Sequence, residues 1–168
     1  MIKLVVCCLV MLQVFGDIRL EIATPKQIVK IQEDLTQLYA QELLEARIYA
    51  NFADALKAAL EEQSSSSAST YLMIGGDAEG YVAVSMKESE VFLDAIQLDE
   101  KYRGRGLGKK VLAQLESDLQ AKGIEVITLY VFAHNVPAFK LYQKMGYSIK
   151  NAYETNGKPT GYLMNKKL

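Results

Sequence analysis

Between Val91 and Phe132 the chain runs an apolar strand, a turn with three alternate glycines, an amphipathic helix and a second, almost wholly apolar strand. Two strands joined through a helix lie parallel, because an antiparallel return needs only a short turn while a parallel one needs a crossover. The crossover is right-handed, so its helix covers one predictable face of the sheet. The second strand, EVITLYVF (Glu125 to Phe132), is rich in β-branched and aromatic residues and near-continuously apolar, which is the pattern of a strand buried on both faces. This unit therefore belongs at the centre of a sheet, and the remaining elements must flank it.

The flanks read as follows. IRLEIAT (Ile18 to Thr24) alternates as a strand, and Thr24-Pro25 combines a capping hydroxyl with proline at the first helical position. Ile28, Ile31, Leu35, Leu38 and Tyr39 then mark one face of a helix. A second helix is expected from about Asn51 to Glu62, with Phe52, Ala55, Leu56, Ala59 and Leu60 buried. QSSSSAS (Gln63 to Ser69) reads as a polar loop tip. TYLMI and YVAVSM form a hairpin, and VFLDAIQL (Val91 to Leu98) follows as the first strand of the crossover. Leu107, Val111, Leu112, Leu115 and Leu119 line the crossover helix, which stops at Gly123. A short helix capped by Asn135 and a hairpin turning at Asn156-Gly157 end the chain. The order is β-α-α-β-β-β-α-β-α-β-β, an α+β sheet, largely antiparallel, with one parallel crossover in its middle.

A chain of 168 residues with a formal charge of −1 is about one domain long and carries no global field that would recruit nucleic acid or an acidic membrane. One histidine, and no cysteine beyond the neighbours Cys7 and Cys8, argue against a zinc site and against a disulfide framework. Residues 1–16, MIKLVVCCLVMLQVFG, form an apolar segment too short for a confident membrane span. It reads as an extra strand, an over-extended start with translation beginning at Met11, or a signal-like segment; residues 17–168 form the single domain.

The turn itself, YRGRGLGKK (Tyr102 to Lys110), points to an anion. The first amides of a helix lack intrahelical partners and carry partial positive charge. Gly104, Gly106 and Gly108 remove side chains from their approach, while Arg103, Arg105, Lys109 and Lys110 add charge. The spacing excludes two familiar phosphate binders. Gly104-x-x-x-Gly108-Lys109 is one residue short of a Walker loop, and Lys110 stands where its hydroxyl should be. A dinucleotide fingerprint needs its third glycine one place later.

Two motifs remain. Arg103-x-x-Gly106-x-Gly108 follows a strand ending Ile96-Gln97-Leu98, and Asn135-x-x-Ala138-x-x-Leu141-Tyr142-x-x-x-Gly146-Tyr147 follows the next strand. Their joint arrangement around one crossover resembles the GNAT N-acetyltransferase superfamily, over about Ile18 to Lys167. The helices before Ser64 match in type only.

That resemblance implies a mixed sheet with helices on both faces, in which the two crossover strands splay apart and acetyl-CoA lies in the gap. It implies cofactor contacts at Ile96 and Leu98 through the backbone, at Arg103, Gly104, Arg105, Gly106, Leu107, Gly108 and Lys109 around the pyrophosphate, and at Asn135, Ala138 and Tyr142. It also implies direct attack by an amine in a ternary complex, without an acyl-enzyme. Tyr142 is then the general acid, since a phenol of pKa ~10 stays protonated at neutral pH. Asp94, reading as one face with Phe92, Ile96 and Leu98, is the first candidate for the base and Glu90 the second; a glutamate common on that strand in relatives is missing here. His134 reads as a loop histidine lining the cleft.

The expected function is acetyl transfer from acetyl-CoA to a primary amine of a small molecule or peptide, in the cytoplasm where the cofactor is made. The alternative is a non-catalytic acyl-CoA sensor of the same fold. The acceptor side, about Gln32 to Glu62 and Tyr153 to Gly161, is mildly acidic through Glu42, Glu45, Asp54, Glu61 and Glu62. No metal, nucleic-acid or membrane partner is expected, and the apolar N-terminal segment offers a surface for a homodimer.

Overall fold

A computed structural model describes residues 18–65, 69–76, 79–87 and 90–168. The readings of residues 1–16 lie outside the described residues. The elements are β1 (Ile18–Ile22), α1 (Pro25–Glu45), α2 (Phe52–Ser65), β2 (Ser69–Gly76), β3 (Gly80–Lys87), β4 (Glu90–Leu98), α3 (Leu107–Gln120), β5 (Val126–Phe132), α4 (Val136–Lys144), β6 (Ser148–Thr155) and β7 (Lys158–Lys167), with one 3₁₀ turn at Glu100–Tyr102. The strands form one sheet in the order β1-β2-β3-β4-β5-β7-β6, antiparallel throughout except for the central pair β4–β5.

Local chemistry sets the helix ends. Thr24 and Gln27 close a capping box over Pro25, with the Thr24 amide donating to Gln27 Oε1 at 2.8 Å and the Gln27 amide donating to Thr24 Oγ1 at 3.4 Å. Helix α1 ends with the Ile48 amide on the Leu43 carbonyl and Arg47 at φ 58°, a left-handed position that glycine usually fills. The tight connection folds α2 back on α1. Here one expectation fails: Phe52 and Leu60 are exposed, while Ala55 and Ala59 are buried against Ala40 and Leu43. Small side chains at the crossing let the two helices approach, which pushes their larger neighbours outward. The serine-rich stretch is also partly helical, since α2 runs on through Gln63, Ser64 and Ser65.

Helices α1 and α2 cover one face of the sheet, and α3 and α4 the other. The α3 stripe is as read from the sequence, with Leu107, Val111, Leu112, Leu115 and Leu119 all buried against Leu72, Val82, Leu93, Ile127, Leu129 and Met164. Beneath it lies a part-buried ion pair, Lys166 Nζ to Glu116 Oε2 at 2.6 Å, beside the ring of Tyr147. Strand β6, at the sheet edge, is exposed along its whole length.

Two irregularities make the site. Ala83 pairs with Ala95 but Val84 pairs with Leu93, so the register passes over Asp94 as an extra residue in β4. This bulge reverses the alternation. Val91 and Leu93 face the α3 core before it, and Leu98 and Ile96 face the same core after it. Asp94 therefore does not share a simple strand face with Ile96 and Leu98, which corrects the expectation from alternation. The second irregularity is that β4 and β5 pair only at Val91–Ile127, Phe92–Thr128 and Leu93–Leu129. Past the bulge they part into a fork.

Leu112 is wholly buried where α3 meets the sheet. Its replacement by alanine removes packing that no neighbour can restore, so Leu112→Ala should lower stability in urea unfolding by about 2–5 kcal/mol.

Candidate active site

The fork opens toward the glycine turn. Gly106 caps α3 with φ 74° and Gly104 has φ 73°, a region that L side chains rarely adopt. A Cβ added at either would meet no protein atom within 4 Å, so both positions border open space. No side chain caps α3, and its first turn holds Lys109 and Lys110 with no acidic residue. Cations there oppose the helix dipole, an arrangement that an anion at the helix end would relieve. Gly108 does something else than expected. Its added Cβ would meet Leu141 at 3.4 Å and Leu98 at 4.0 Å, so this glycine lets α3 pack on α4 and β4 rather than opening the anion's approach.

Arg103 braces the loop. Its Nε donates to the Leu98 carbonyl at 2.8 Å, which occupies one of the backbone groups expected to face the cofactor arm. A cleft of about 990 Å³ lies beside it on the α1 side, bounded by Asp34, Gln37, Leu38, Tyr81, Gln97 and Arg103. Burial, then the nearby Asp34 charge, pushes the Tyr81 phenol up to about 12.

Across the fork, Asn135 accepts from the Ala138 amide at 3.3 Å and caps α4. Ala138 and Tyr142 pack only partly against the α3 core, so the inner face of this helix stays half-buried along the fork. Burial pushes the Tyr142 phenol up to about 12, and its ring lies 5.6 Å from that of Tyr147. Burial and the Glu116 carboxylate raise the Tyr147 phenol further.

The carboxylates sort themselves by position. Asp94, exposed on the bulge, accepts from Ser85 Oγ at 3.0 Å and Ser69 Oγ at 3.2 Å. Glu90 sits at the closed end of the fork, where it accepts from Thr128 at 3.0 Å and faces Lys150 at 3.7 Å. The sequence reading placed Glu42 on the acidic acceptor side and His134 in the cleft, but did not pair them. Glu42 Oε2 reaches His134 Nε2 at 2.7 Å, Glu45 lies 3.4 Å from the same nitrogen, and Asn135 Nδ2 donates to Glu42 Oε1 at 3.5 Å. Desolvation raises the Glu42 carboxyl, with His134 pulling the other way. The signal was present: Glu42 continues the inward stripe Ile31, Leu35, Leu38 at helical spacing, an odd place for a carboxylate. Aromatic rings complete this wall, with Tyr39 6.0 Å, Tyr130 5.1 Å and His134 5.6 Å from Phe132. Among the described residues no group of His, Cys, Asp and Glu is placed to hold a metal, and no helix is long and apolar enough to cross a membrane.

A central strand pair that forks beneath an uncapped, cationic helix start defines an acyl-CoA-binding type of fold. The chain belongs to the GNAT acetyltransferases: the model of the Acetyltransferase (GNAT) family matches residues 30–147, more than half its length. Among curated relatives from Bacillus subtilis (strain 168), the uncharacterized N-acetyltransferase YdgE is 42% identical over 64 residues, which are 38% of this chain and 41% of the relative. The spermine/spermidine N(1)-acetyltransferase is 38% identical over 72 residues, 42% of this chain and 47% of the relative. The matched stretches thus span less than half the length of these relatives. The crystal structure of B. subtilis YycN superposes with a TM-score of 0.74 at 22% identity, covering 83% of this chain and 97% of that one. The PaiA N-acetyltransferase of Thermoplasma acidophilum, solved with coenzyme A, gives 0.60 at 20% identity, covering 91% and 100%. At these identities the structures share the fold.

Two outcomes follow from the geometry. Gly106→Val places a β-branched side chain at a left-handed residue bordering the anion site, so calorimetry should show coenzyme A affinity falling at least about 10-fold while the fold survives. Tyr81 and Tyr142, held near 12, favour the folded state below the free phenol value of ~10, and that contribution is lost as pH rises from there toward 12. Tyrosinate absorbance should therefore show a late-titrating fraction that appears together with loss of circular dichroism.

Proposed function

We propose that this protein is an acetyl-CoA-dependent N-acetyltransferase acting on a primary amine of a small molecule or peptide, by direct attack in a ternary complex. The observation that carries the reading is the β4–β5 fork, closed at Leu93–Leu129 and open under the start of α3. The cofactor supplies an activated acetyl thioester when bound. Arg105, Gly106, Leu107 and Lys109 hold its pyrophosphate at the helix start, with Arg103 and Gly104 shaping the loop. The backbone of β4 at Ile96 and Leu98 takes its arm in place of the missing β5 partner, and Asn135, Ala138 and Gly108 close the other wall. A cytoplasmic location belongs to this reading, because the acyl carrier is found inside the cell.

Tyr142 holds a proton at its phenol oxygen, available to the departing thiolate. A phenol near 12 facing a thiol of reference pKa ~8.5 is a reluctant acid. Its oxygen therefore relays a proton, taking one from solvent water as it gives one to the thiolate. Asp94, on the bulge, is the carboxylate for the proton shed by the nitrogen as the new bond forms. Its two serine donors keep it in one orientation.

The test is thiol release from acetyl-CoA with a panel of primary amines, including spermidine, free lysine and a dipeptide. Spermidine is chosen because of the named B. subtilis relative. Tyr142→Phe should lower kcat about 10²-fold with coenzyme A affinity unchanged, as expected for a group that acts only on proton transfer. Tight cofactor binding with no turnover on any amine would instead favour the sensor.

A further inference from the structure

An alkyl amine reaches an enzyme at neutral pH as an ammonium ion and has no lone pair until a proton is removed. The transfer reading assigns a donor for the thiolate and an acceptor for the proton lost on bond formation. It leaves this first proton without a destination. Asp94 is already assigned the proton lost on bond formation, and Glu90 is at the closed end of the fork.

His134 is differently placed. It lies two residues past the end of β5, beyond the last β4–β5 pair at Leu93–Leu129. It thus stands at the open end of the fork. Its Nε2 is taken by Glu42 at 2.7 Å, with Glu45 at 3.4 Å, and among the described residues Nδ1 has no hydrogen-bond partner. In the neutral ring, a nitrogen so close to a carboxylate is the one expected to carry the hydrogen, which leaves the lone pair on Nδ1. The side chain is 29% exposed, enough to exchange protons with water. Among the described residues, the charged groups against the ring, Glu42 and Glu45, both come from α1, and the β5 side contributes Phe132.

We propose that His134, oriented by Glu42, is the base that deprotonates the incoming acceptor, and that the acceptor is accordingly a strongly basic alkyl amine arriving as a cation. This rests on the acetyl-transfer reading. The proton passes from the ammonium nitrogen to Nδ1, directly or through one water. The electrons of the broken N–H bond remain on the amine as its lone pair, and the imidazolium returns the proton to solvent. Glu42 is a positioning residue: it fixes the tautomer and balances the charge formed on the ring. The carboxylates favour the approach of a cation on the α1 side, whereas Arg105, Lys109 and Lys110 favour the anionic cofactor at the α3 end.

The experiment compares wild type, His134→Gln and Glu42→Gln across pH, using spermidine or whichever amine in the panel turns over fastest. At neutral pH, His134→Gln should lower kcat/KM about 10²-fold, and the deficit should shrink as pH approaches the amine's own value of ~10, where solution supplies free base. Glu42→Gln should displace the acidic limb of the profile while coenzyme A affinity holds. A loss that is uniform with pH, or smaller than about twofold, overturns the assignment and leaves the transfer reading intact. Failure of wild type to acetylate any amine, with the cofactor bound, removes both. His134 is the only histidine in the chain, so nitrogen NMR of its ring in the wild-type protein gives an independent answer. In the neutral form of the ring, hydrogen on Nε2 is expected; hydrogen on Nδ1 in that form overturns the proposal whatever the variants do.

Discussion

The structure turns on a single surplus residue. Had β4 matched β3 residue for residue, it would have continued alongside β5 and the sheet would have closed. Asp94 breaks the match, and β4 leaves β5 after only three paired positions. A central strand stripped of one neighbour has backbone groups to satisfy, and buried amides and carbonyls cannot stay idle without cost. Arg103 meets part of that need by returning to the Leu98 carbonyl. The remainder gives the fold its affinity for a ligand that can behave like a strand.

The helices then determine what each side of the fork can accept. Helix α3 begins on two left-handed glycines with lysines in its first turn, which makes little sense for an isolated helix and good sense for one that faces phosphate. Helix α1 crosses from the β3–β4 rim, at Asp34 and Leu38, to the β5 rim, at Glu42, and brings carboxylates to both. The two sides therefore differ in sign. Two substrates of opposite charge can occupy such a site together, without competing for one electrostatic environment.

Much of this was legible in the sequence because it is local. The crossover, the α3 stripe, the Thr24 and Asn135 caps and the Asn156-Gly157 turn are each written within a few neighbouring residues. What could not be read is what depends on partners far along the chain. The bulge at Asp94 is a mismatch between two strands, so alternation within β4 alone gave the wrong face. Gly108 looked like a third anion-loop glycine until Leu141 was seen behind it. Glu42 and His134 are 92 positions apart in number (134 − 42) and meet only because α1 lies over the end of β5. In α2, apolar spacing named five inward residues, but the helix crossing selected the two alanines fully and turned Phe52 and Leu60 out.

One contact carries a further consequence. The ring of Tyr130 lies on the backbone of Gly161, so closely that a Cβ there would fall 2.1 Å from the hydroxyl oxygen. The wall formed by Tyr130, Phe132 and Tyr153 is thus positioned by the lack of a side chain on a different strand. Any residue larger than glycine at 161 would displace the aromatic group toward α1 and narrow the space there. In a lineage of such chains, acceptor preference can drift through a position that no acceptor touches, and comparing the lining residues alone would miss the change.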